Sequence, residues 1–520
     1  MTIYRSARPA LAIPDLPLTD FVLARARERG ARPAIVDGPT GRTITYAELP
    51  DLVDRAAAAL AVLGIRKRDT CAIFSPNAPH FPVAVLAIAR LGAVVTTASP
   101  MSTCDDLVRQ LQDSRPRILF TSSAVGATAF SACARLQSDT PIEHVFSFDA
   151  LDGATAFEDL LAEPGTPPDV TIDPGDIVAL PYSSGTTGLP KGVMLSHGNL
   201  VANVLQLDSS GYLRDGEDTI VAFLPFFHIY GITAIMLIGL WSGATMVVMP
   251  RFEMEPYLDL VERHGATVLH VVPPIVLALA KGGAAHERRL SSVRKLFSAA
   301  APLSATVTSL CCARLGCGLQ QGYGLTETSP GTHTSADHPA GAKPGSIGRP
   351  IANTECRVVD PVTGQDVEPG CDGEIWIRGP QVMVGYLNRP DATREMVTED
   401  GWLRTGDIGH ADADGDFFIV DRLKELIKYK GMQVAPAELE SLLLSHPAVA
   451  DAAVVAQPDE EAGEIPRAFV VLKGPATAES LMAFVAGRVS SYKKIRRLEF
   501  IDAIPKSPSG KILRRLLRDR

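Results

Sequence analysis

Along the first 170 residues, apolar positions alternate between two rhythms. Residues 49–63 set Ala, Leu and Val at helical spacing and end at Gly64, a residue suited to the left-handed helix stop. Residues 70–74 form a short apolar run, closed by the turn Ser75-Pro76-Asn77. Residues 81–91 are helical again, with Gly92 as the stop, and residues 94–98 predict the next strand. The alternation goes on through strands at 177–180, 220–224, 267–272 and 295–298, with helices at 199–207 and 275–281. This order predicts parallel sheets covered by helices. From about residue 345 Gly, Asp and Pro become dense and the strands shorten to 355–359, 373–378 and 415–420, which predicts a β-rich subdomain. The charged stretch Asp421-Arg422-Leu423-Lys424-Glu425 then leads into a helix at 436–444 with Pro near its start, strands at 449–456 and 467–472, and a helix at 478–489. The fold class is therefore α/β. A large N-terminal domain spans 1–420, with its β-rich subdomain at about 345–420, and a small α+β C-terminal domain spans 421–520.

Composition narrows the function class. A chain of 520 residues, 46% hydrophobic and 21% charged, is expected to hold two or more ordinary globular domains. A net charge of −9 argues against a nucleic-acid partner, which calls for a basic face. Residues 231–250 carry no charge, but Gly231, Gly239 and Gly243 interrupt them. They read better as a helix (232–240), a turn and a strand (244–249) than as a membrane span, so no membrane insertion is expected. The start of the chain has no continuous apolar stretch, and none of the eight cysteines forms a C-x-x-C pair. Reduced thiols and a cytoplasmic location are expected. The trio Cys311, Cys312 and Cys317 reads as helix packing rather than a metal site.

The densest chemistry lies at 182–192, Tyr-Ser-Ser-Gly-Thr-Thr-Gly-Leu-Pro-Lys-Gly. Glycines let backbone N–H groups approach an anion, hydroxyls donate to phosphate oxygens, and Lys191 brings a point charge. The apolar run at 177–180 leads in like a buried strand, so the stretch predicts a phosphate-gripping loop at a sheet edge. Its spacing differs from G-x-x-x-x-G-K-[ST]. An ordinary Gly/Ser/Thr surface turn is the competing reading. Four weaker constellations follow. Gln321-Gly-Tyr-Gly-Leu-Thr-Glu-Thr328 offers Tyr323 as a stacking face, Thr326 for phosphate and Glu327 for a metal ion, or else is a simple turn. Phe226-Phe-His228-Ile-Tyr230 sets a lone histidine among aromatics, which by itself is more often structural. Trp402-Leu-Arg-Thr-Gly-Asp407 ends in a carboxylate able to accept both ribose hydroxyls, although Gly-Asp is common in turns. Pro505-Lys-Ser-Pro-Ser-Gly510-Lys511 presents a lysine on a flexible loop, or a solvated charge run.

Taken in order, these motifs resemble the adenylate-forming superfamily of acyl-CoA synthetases, luciferases and adenylation domains, from about Asp20 to Lys511. Leu224-Pro-Phe-Phe-His-Ile-Tyr230, Gln321-Gly-Tyr-Gly324 and the run from Asp421 to Glu440 look most like 4-coumarate/cinnamate–CoA ligases. The resemblance implies ATP, Mg²⁺ and coenzyme A as reactants and cofactor, and a small carboxylic acid as substrate. The acid would first become an acyl-adenylate with loss of pyrophosphate, and the acyl group would then pass to coenzyme A. It implies that Ser183, Ser184, Gly185, Thr186, Thr187 and Lys191 hold the β- and γ-phosphates. Gln321, Gly322 and Tyr323 would line the adenine pocket, Thr326 would meet the α-phosphate, and Glu327 would hold Mg²⁺. Asp407, helped by Arg422, would bind the ribose, and His228 would stand beside the reacting carboxylate. Lys424, Lys428 and Gln433 would reach the adenylate from a mobile C-terminal domain that swings about a hinge near 421–424. Lys511 would be the catalytic lysine. Tyr230, Ala234, Ala300, Gly324, Pro330 and Gly331 would wall the acyl pocket, and Arg251, Lys430 and Gly431 would meet coenzyme A.

Some residues depart from the family pattern. Arg251 stands where plant relatives carry lysine, Ala299 where glycine is frequent, and Ala234 where some carry a serine able to meet a ring hydroxyl. The last change predicts tolerance of cinnamate beside 4-coumarate. The Pro505-to-Lys511 loop also resembles an acetylation site of acyl-CoA synthetases, which implies a lysine acetyltransferase as a partner at Lys511. A fatty-acyl or benzoyl–CoA ligase is the alternative within the same fold. A non-catalytic nucleotide-binding protein is disfavoured because Lys191, Glu327 and Lys511 are all present.

Overall fold

The computed structural model describes residues 2–518 except 137–141, 184–189, 283–288, 300–302, 304, 338–342, 431 and 508–509. Two large sheets, each flanked by helices, build the N-terminal part. In the first, the parallel strands Thr70–Phe74, Val94–Ala98, Ile118–Thr121, His144–Ser147 and Ile177–Ser183 form the body. The second has a parallel centre of Thr219–Ala222, Thr245–Val248, Val268–Val271, Lys295–Ser298 and Gly318–Gly324. Short apolar runs bounded by turn residues account for the close match of strands at 70–74, 94–98 and 295–298 with expectation. The sheets are mixed rather than purely parallel. Lys191–Ser196 and Gly385–Tyr386 add an antiparallel edge to the first, and Gly331–Thr334 and Arg349–Pro350 to the second.

The β-rich subdomain forms a five-stranded antiparallel sheet that includes Glu355–Val359, Gly373–Arg378, Leu403–Ala411 and Phe417–Arg422. It also recruits Tyr4–Arg5 from the chain's start, which the local pattern does not indicate. The strand expected at 415–420 begins at Phe417 because Gly415 makes the turn at φ +83°. It runs on to Arg422, where Asp421 still pairs Ile408 and Arg422 pairs Asp407. Beyond it, helices Pro436–Ser445 and Ala478–Ala486 cover a sheet built on the long hairpin Val449–Asp459 and Gly463–Leu472, around a core of its own.

The uncharged stretch at 231–250 folds as expected into a buried helical segment and the strand Thr245–Val248. Its middle, Ile232–Leu237, is π-helical, a widened turn common near functional sites. A Cβ at Gly231 would lie 2.0 Å from the Pro225 carbonyl oxygen, so only glycine lets the chain turn there. Among the described residues no helix is long and apolar enough to cross a membrane. Cys311, on helix Ala305–Leu315, and Cys317, just beyond its end, are buried, and Cys312 is half-buried, in line with a packing role.

Candidate functional site

The ends of the phosphate-loop segment form an antiparallel hairpin in which Ser183 faces Lys191 and Tyr182 faces Gly192. Ser184, Gly185, Thr186 and Thr187 lie outside the described residues. Ser183 Oγ donates to Glu327 Oε1 at 2.9 Å, joining two motifs 144 residues apart. Tyr386 Oη donates to the same oxygen at 2.8 Å. The Lys191 ammonium stands 4.8 Å from the centre of the Tyr386 ring. No sequence motif points to Tyr386. It sits on a two-residue strand paired with Val193, too short to leave a periodic signal. Burial, and then the Glu327 carboxylate, push its phenol well above the ordinary range. Glu327 is itself buried. A Mg²⁺ ion that also bridges substrate phosphates needs only one or two protein carboxylates, so this lone, oriented carboxylate fits it. A metal cage built from protein alone does not occur here: among the described residues no group of three or more His, Cys, Asp or Glu could hold a metal.

The motif at 321–328 begins as a strand rather than a turn. Gly318–Gly324 lies between Lys295–Ser298 and Gly331–Thr334, with Gln321 opposite Ser298. A Cβ at Gly322 would lie 2.5 Å from the Phe297 ring, which requires glycine at that position. Tyr323 Oη donates to Asp407 Oδ2 at 2.5 Å, while Arg422 Nε reaches Asp407 Oδ1 at 3.1 Å. Asp407 is only 3% exposed, so its two partners stabilise a charge that burial would otherwise penalise. Thr326 and Glu327 follow on the short 3₁₀ turn Thr326–Thr328.

Lys511 approaches this cluster from the C-terminal end. The Ser507 N–H donates to the Lys511 carbonyl at 2.8 Å, and the Gly510 N–H to the Ser507 carbonyl at 2.8 Å, which makes a tight turn with Gly510 at φ +80°. A Cβ at Gly510 would lie 3.6 Å from Pro274 and from Val272 Cγ2, so the turn packs on the loop that opens helix Pro273–Lys281. Burial, then the Arg422 guanidinium, push the Lys511 ammonium down to about 8, against the pull of Glu425 and Asp407. Burial, then Lys511, push His228 down to about 4. Lys511, His228, Asp407 and Arg422 thus share one electrostatic neighbourhood. Three residues on, Arg514 anchors the loop by bonding Glu425 at 2.6 Å and both Glu440 oxygens at 2.8 Å.

Other expected contacts lie at the surface. Lys424, Lys428, Gln433, Lys430 and Arg251 are exposed. Lys428 and Gln433 face each other across the hairpin Ile427–Tyr429 and Met432–Val434. Gly431 lies outside the described residues.

On the acid side, His228 caps the helical segment and its Nδ1 accepts from the Tyr230 N–H at 3.2 Å. Tyr230 and Ala234 are buried. Gly324 and Pro330 touch closely enough that a Cβ on Gly324 would lie 1.9 Å from the Pro330 carbonyl oxygen. Asn203 holds Gly331 by both edges: its Oδ1 accepts from the Gly331 N–H at 3.0 Å and its Nδ2 donates to the Gly331 carbonyl at 2.8 Å. Neither the sequence motifs nor the helical pattern points to Asn203. Ala300 lies outside the described residues.

The AMP-binding enzyme family matches residues 22–387, and the AMP-binding enzyme C-terminal domain matches residues 438–511. The chain is 45% identical to "4-coumarate--CoA ligase 5" of Oryza sativa subsp. japonica, over 99% of this chain and 97% of that one. It is 42% identical to "4-coumarate--CoA ligase 2" of Solanum tuberosum, over 100% of this chain and 96% of that one. Among solved structures, an anthranilate CoA ligase in complex with anthranoyl-AMP superposes with a TM-score of 0.88 at 26% identity, covering 98% of each chain.

Proposed function

The chain belongs to the AMP-binding enzyme family, and from that premise we propose how its site works. It is an ATP-dependent acid–thiol ligase of the 4-coumarate–CoA ligase type. It joins an aryl-propenoic acid to coenzyme A, forming AMP and pyrophosphate. In the first step the carboxylate oxygen attacks the α-phosphorus and the bond to pyrophosphate breaks. Two anions meet, so catalysis is mainly positioning and neutralisation of charge. Lys511 bridges the incoming carboxylate and the α-phosphate. Asp407 receives the ribose hydroxyls, held and oriented by Arg422 and Tyr323. Ser183, Lys191 and the loop between them hold the departing pyrophosphate. Glu327, aimed by Ser183 and Tyr386, would hold Mg²⁺, which when bound would spread the phosphate charge. His228, neutral at pH 7, meets the carboxylate without adding a cation. In the second step the coenzyme A thiol attacks the acyl carbon and AMP leaves, a step that needs no lysine at the phosphate. The C-terminal domain beyond the 421–424 hinge then moves Lys511 away, and Lys424, Lys428, Gln433, Lys430 and Arg251 act in that exchange. A cytoplasmic location suits free thiols. Acetylation of Lys511 by a lysine acetyltransferase would remove the adenylating charge.

The observation that carries this reading is the docking of the Gly510–Lys511 turn on Val272 and Pro274, which sets Lys511 beside His228, Asp407 and Arg422. ATP–pyrophosphate exchange with a panel of acids tests it, followed by thioester formation with and without coenzyme A. Aryl-propenoic acids should drive both reactions. Rapid turnover of a medium-chain fatty acid with no response to any aryl-propenoic acid would refute the substrate assignment.

A further inference from the structure

The floor of the acid pocket carries polar atoms that the protein leaves without partners. Val272, which meets the Lys511 turn, continues the strand Val268–Val271, and side chains alternate along a strand. His270 therefore points to the same face as Val272, one side-chain layer deeper, about 7 Å further down the strand. Phe297, its neighbour in register, shares that face and packs against Gly322. Two tyrosines complete the box. Tyr212 lies 5.2 Å from His270 and 4.4 Å from Phe297 between ring centres, and Tyr230 lies 6.4 and 6.5 Å from the same two rings. Lys295, at the far end of the neighbouring strand, ties the Tyr212 carbonyl at 2.6 Å and fixes the floor.

Inside this box neither nitrogen of His270 has a hydrogen-bond partner, and the hydroxyls of Tyr212 and Tyr230 have none but each other. All three side chains are buried: His270 and Tyr212 are 1% exposed and Tyr230 is 7% exposed. The two hydroxyls are near enough to perturb each other's ionisation. Each polar atom left without a partner costs roughly 1–3 kcal/mol, and the two His270 nitrogens, set beside a hydroxyl pair with further hydrogen-bonding capacity, supply a receptor for a group that satisfies them. Burial, then Lys295, push His270 down to about 3, so the imidazole is neutral and offers one donor and one acceptor. A neutral hydroxyl matches that set better than a second carboxylate, which brings no proton to the acceptor nitrogen.

We propose that His270, with Tyr212 and Tyr230, hydrogen-bonds a hydroxyl on the ring of the acid, at the end remote from the carboxylate, and so selects phenolic over unsubstituted aryl-propenoic acids. This rests on the assignment of the acid pocket above and reverses the expectation drawn from Ala234. The hydroxyl that Ala234 lacks is replaced from a strand whose apolar run, Val268-Leu269-His270-Val271, conceals the histidine.

The test compares kcat/KM for 4-coumarate and cinnamate, which differ by one ring hydroxyl, in wild type, His270→Leu and Tyr212→Phe. The wild type should prefer 4-coumarate by about 10- to 100-fold. In His270→Leu the two acids should come within about threefold of each other, and Tyr212→Phe should lower the preference by about three- to tenfold. Equal use of both acids by the wild type, or an unchanged ratio in both variants, would overturn the inference and leave the ligase assignment standing. If neither acid were activated while a fatty acid was, the substrate assignment would fall and the inference with it.

Discussion

The nucleotide side and the acid side of the site are finished to different degrees. On the nucleotide side the protein satisfies its own charges before any substrate arrives: Asp407 is held by Tyr323 and Arg422, and Glu327 by Ser183 and Tyr386. On the proposed acid side His270 is buried with both ring nitrogens unpartnered, beside the Tyr212–Tyr230 hydroxyl pair. The difference follows from what each must recognise. ATP is the same in every turnover, so its receptor can be fixed by hydrogen bonds within the protein. The acid is what distinguishes one ligase of this fold from another, and open hydrogen-bonding capacity is how a buried pocket rejects a near-isostere. A change on the nucleotide side should therefore slow every acid alike, and a change on the acid side should alter ratios between acids.

Lys511→Ala gives the largest expected effect, because Lys511 stands where the two sides meet. Removing a charge aimed at the reacting phosphate should lower ATP–pyrophosphate exchange by about 10²- to 10³-fold with every acid. Thioester formation from preformed acyl-adenylate should fall far less. Equal losses in the two half-reactions would mean that Lys511 supports the fold rather than adenylation.

Asp407→Asn probes the satisfied side alone. It keeps the shape but removes the charge that Arg422 and Tyr323 hold. The KM for ATP should rise by about 10- to 100-fold, through weakened ribose acceptance and an uncompensated Arg422. The rise should be the same with 4-coumarate and cinnamate, and the preference between them should stay within about twofold of wild type. A shifted preference would show that the two sides are coupled, and the contrast would fail.

That contrast also marks how far the sequence could be read. Strands at 355–359 and 373–378 stand where short apolar runs between turn residues place them. Asp407, Glu327 and Lys511 were legible because motifs keep their residue types at fixed local spacing. What escaped is created by convergence. Tyr386 is on a two-residue strand and meets the site through Glu327, 59 residues away, and Lys191. His270 looks like one polar slip in a core strand until Tyr212 and Phe297 close around it. The stretch 321–328 admits a simple turn as its competing reading because it is rich in glycine, but Gly322 and Gly324 are demanded by Phe297 and Pro330 pressing on a strand. The expected helix at 478–489 ends at Ala486, where Gly487 caps it.

The smallest expected effect is in pH. Burial and Arg422 lower the Lys511 ammonium to about 8 in the free enzyme, and in the proposed reaction the charged form is the one that bridges the two anions. Accordingly kcat/KM for adenylation should be level below pH 8 and fall as pH rises through it, by about twofold at the midpoint and toward tenfold one unit above. Burial of His228 keeps it neutral across this range, so it adds no acidic limb near pH 6. Thioester formation from preformed adenylate does not need the ammonium and gains from thiolate, so it should hold or rise over the same interval. Measuring the two half-reactions from pH 6.5 to 9.5 separates the curves. In Arg422→Gln the nearby cation that lowers Lys511 is gone, so the adenylation limb should move to higher pH while its maximum drops. A limb that stayed in place would assign the titration to another group and detach Lys511 from the Asp407–Arg422 neighbourhood.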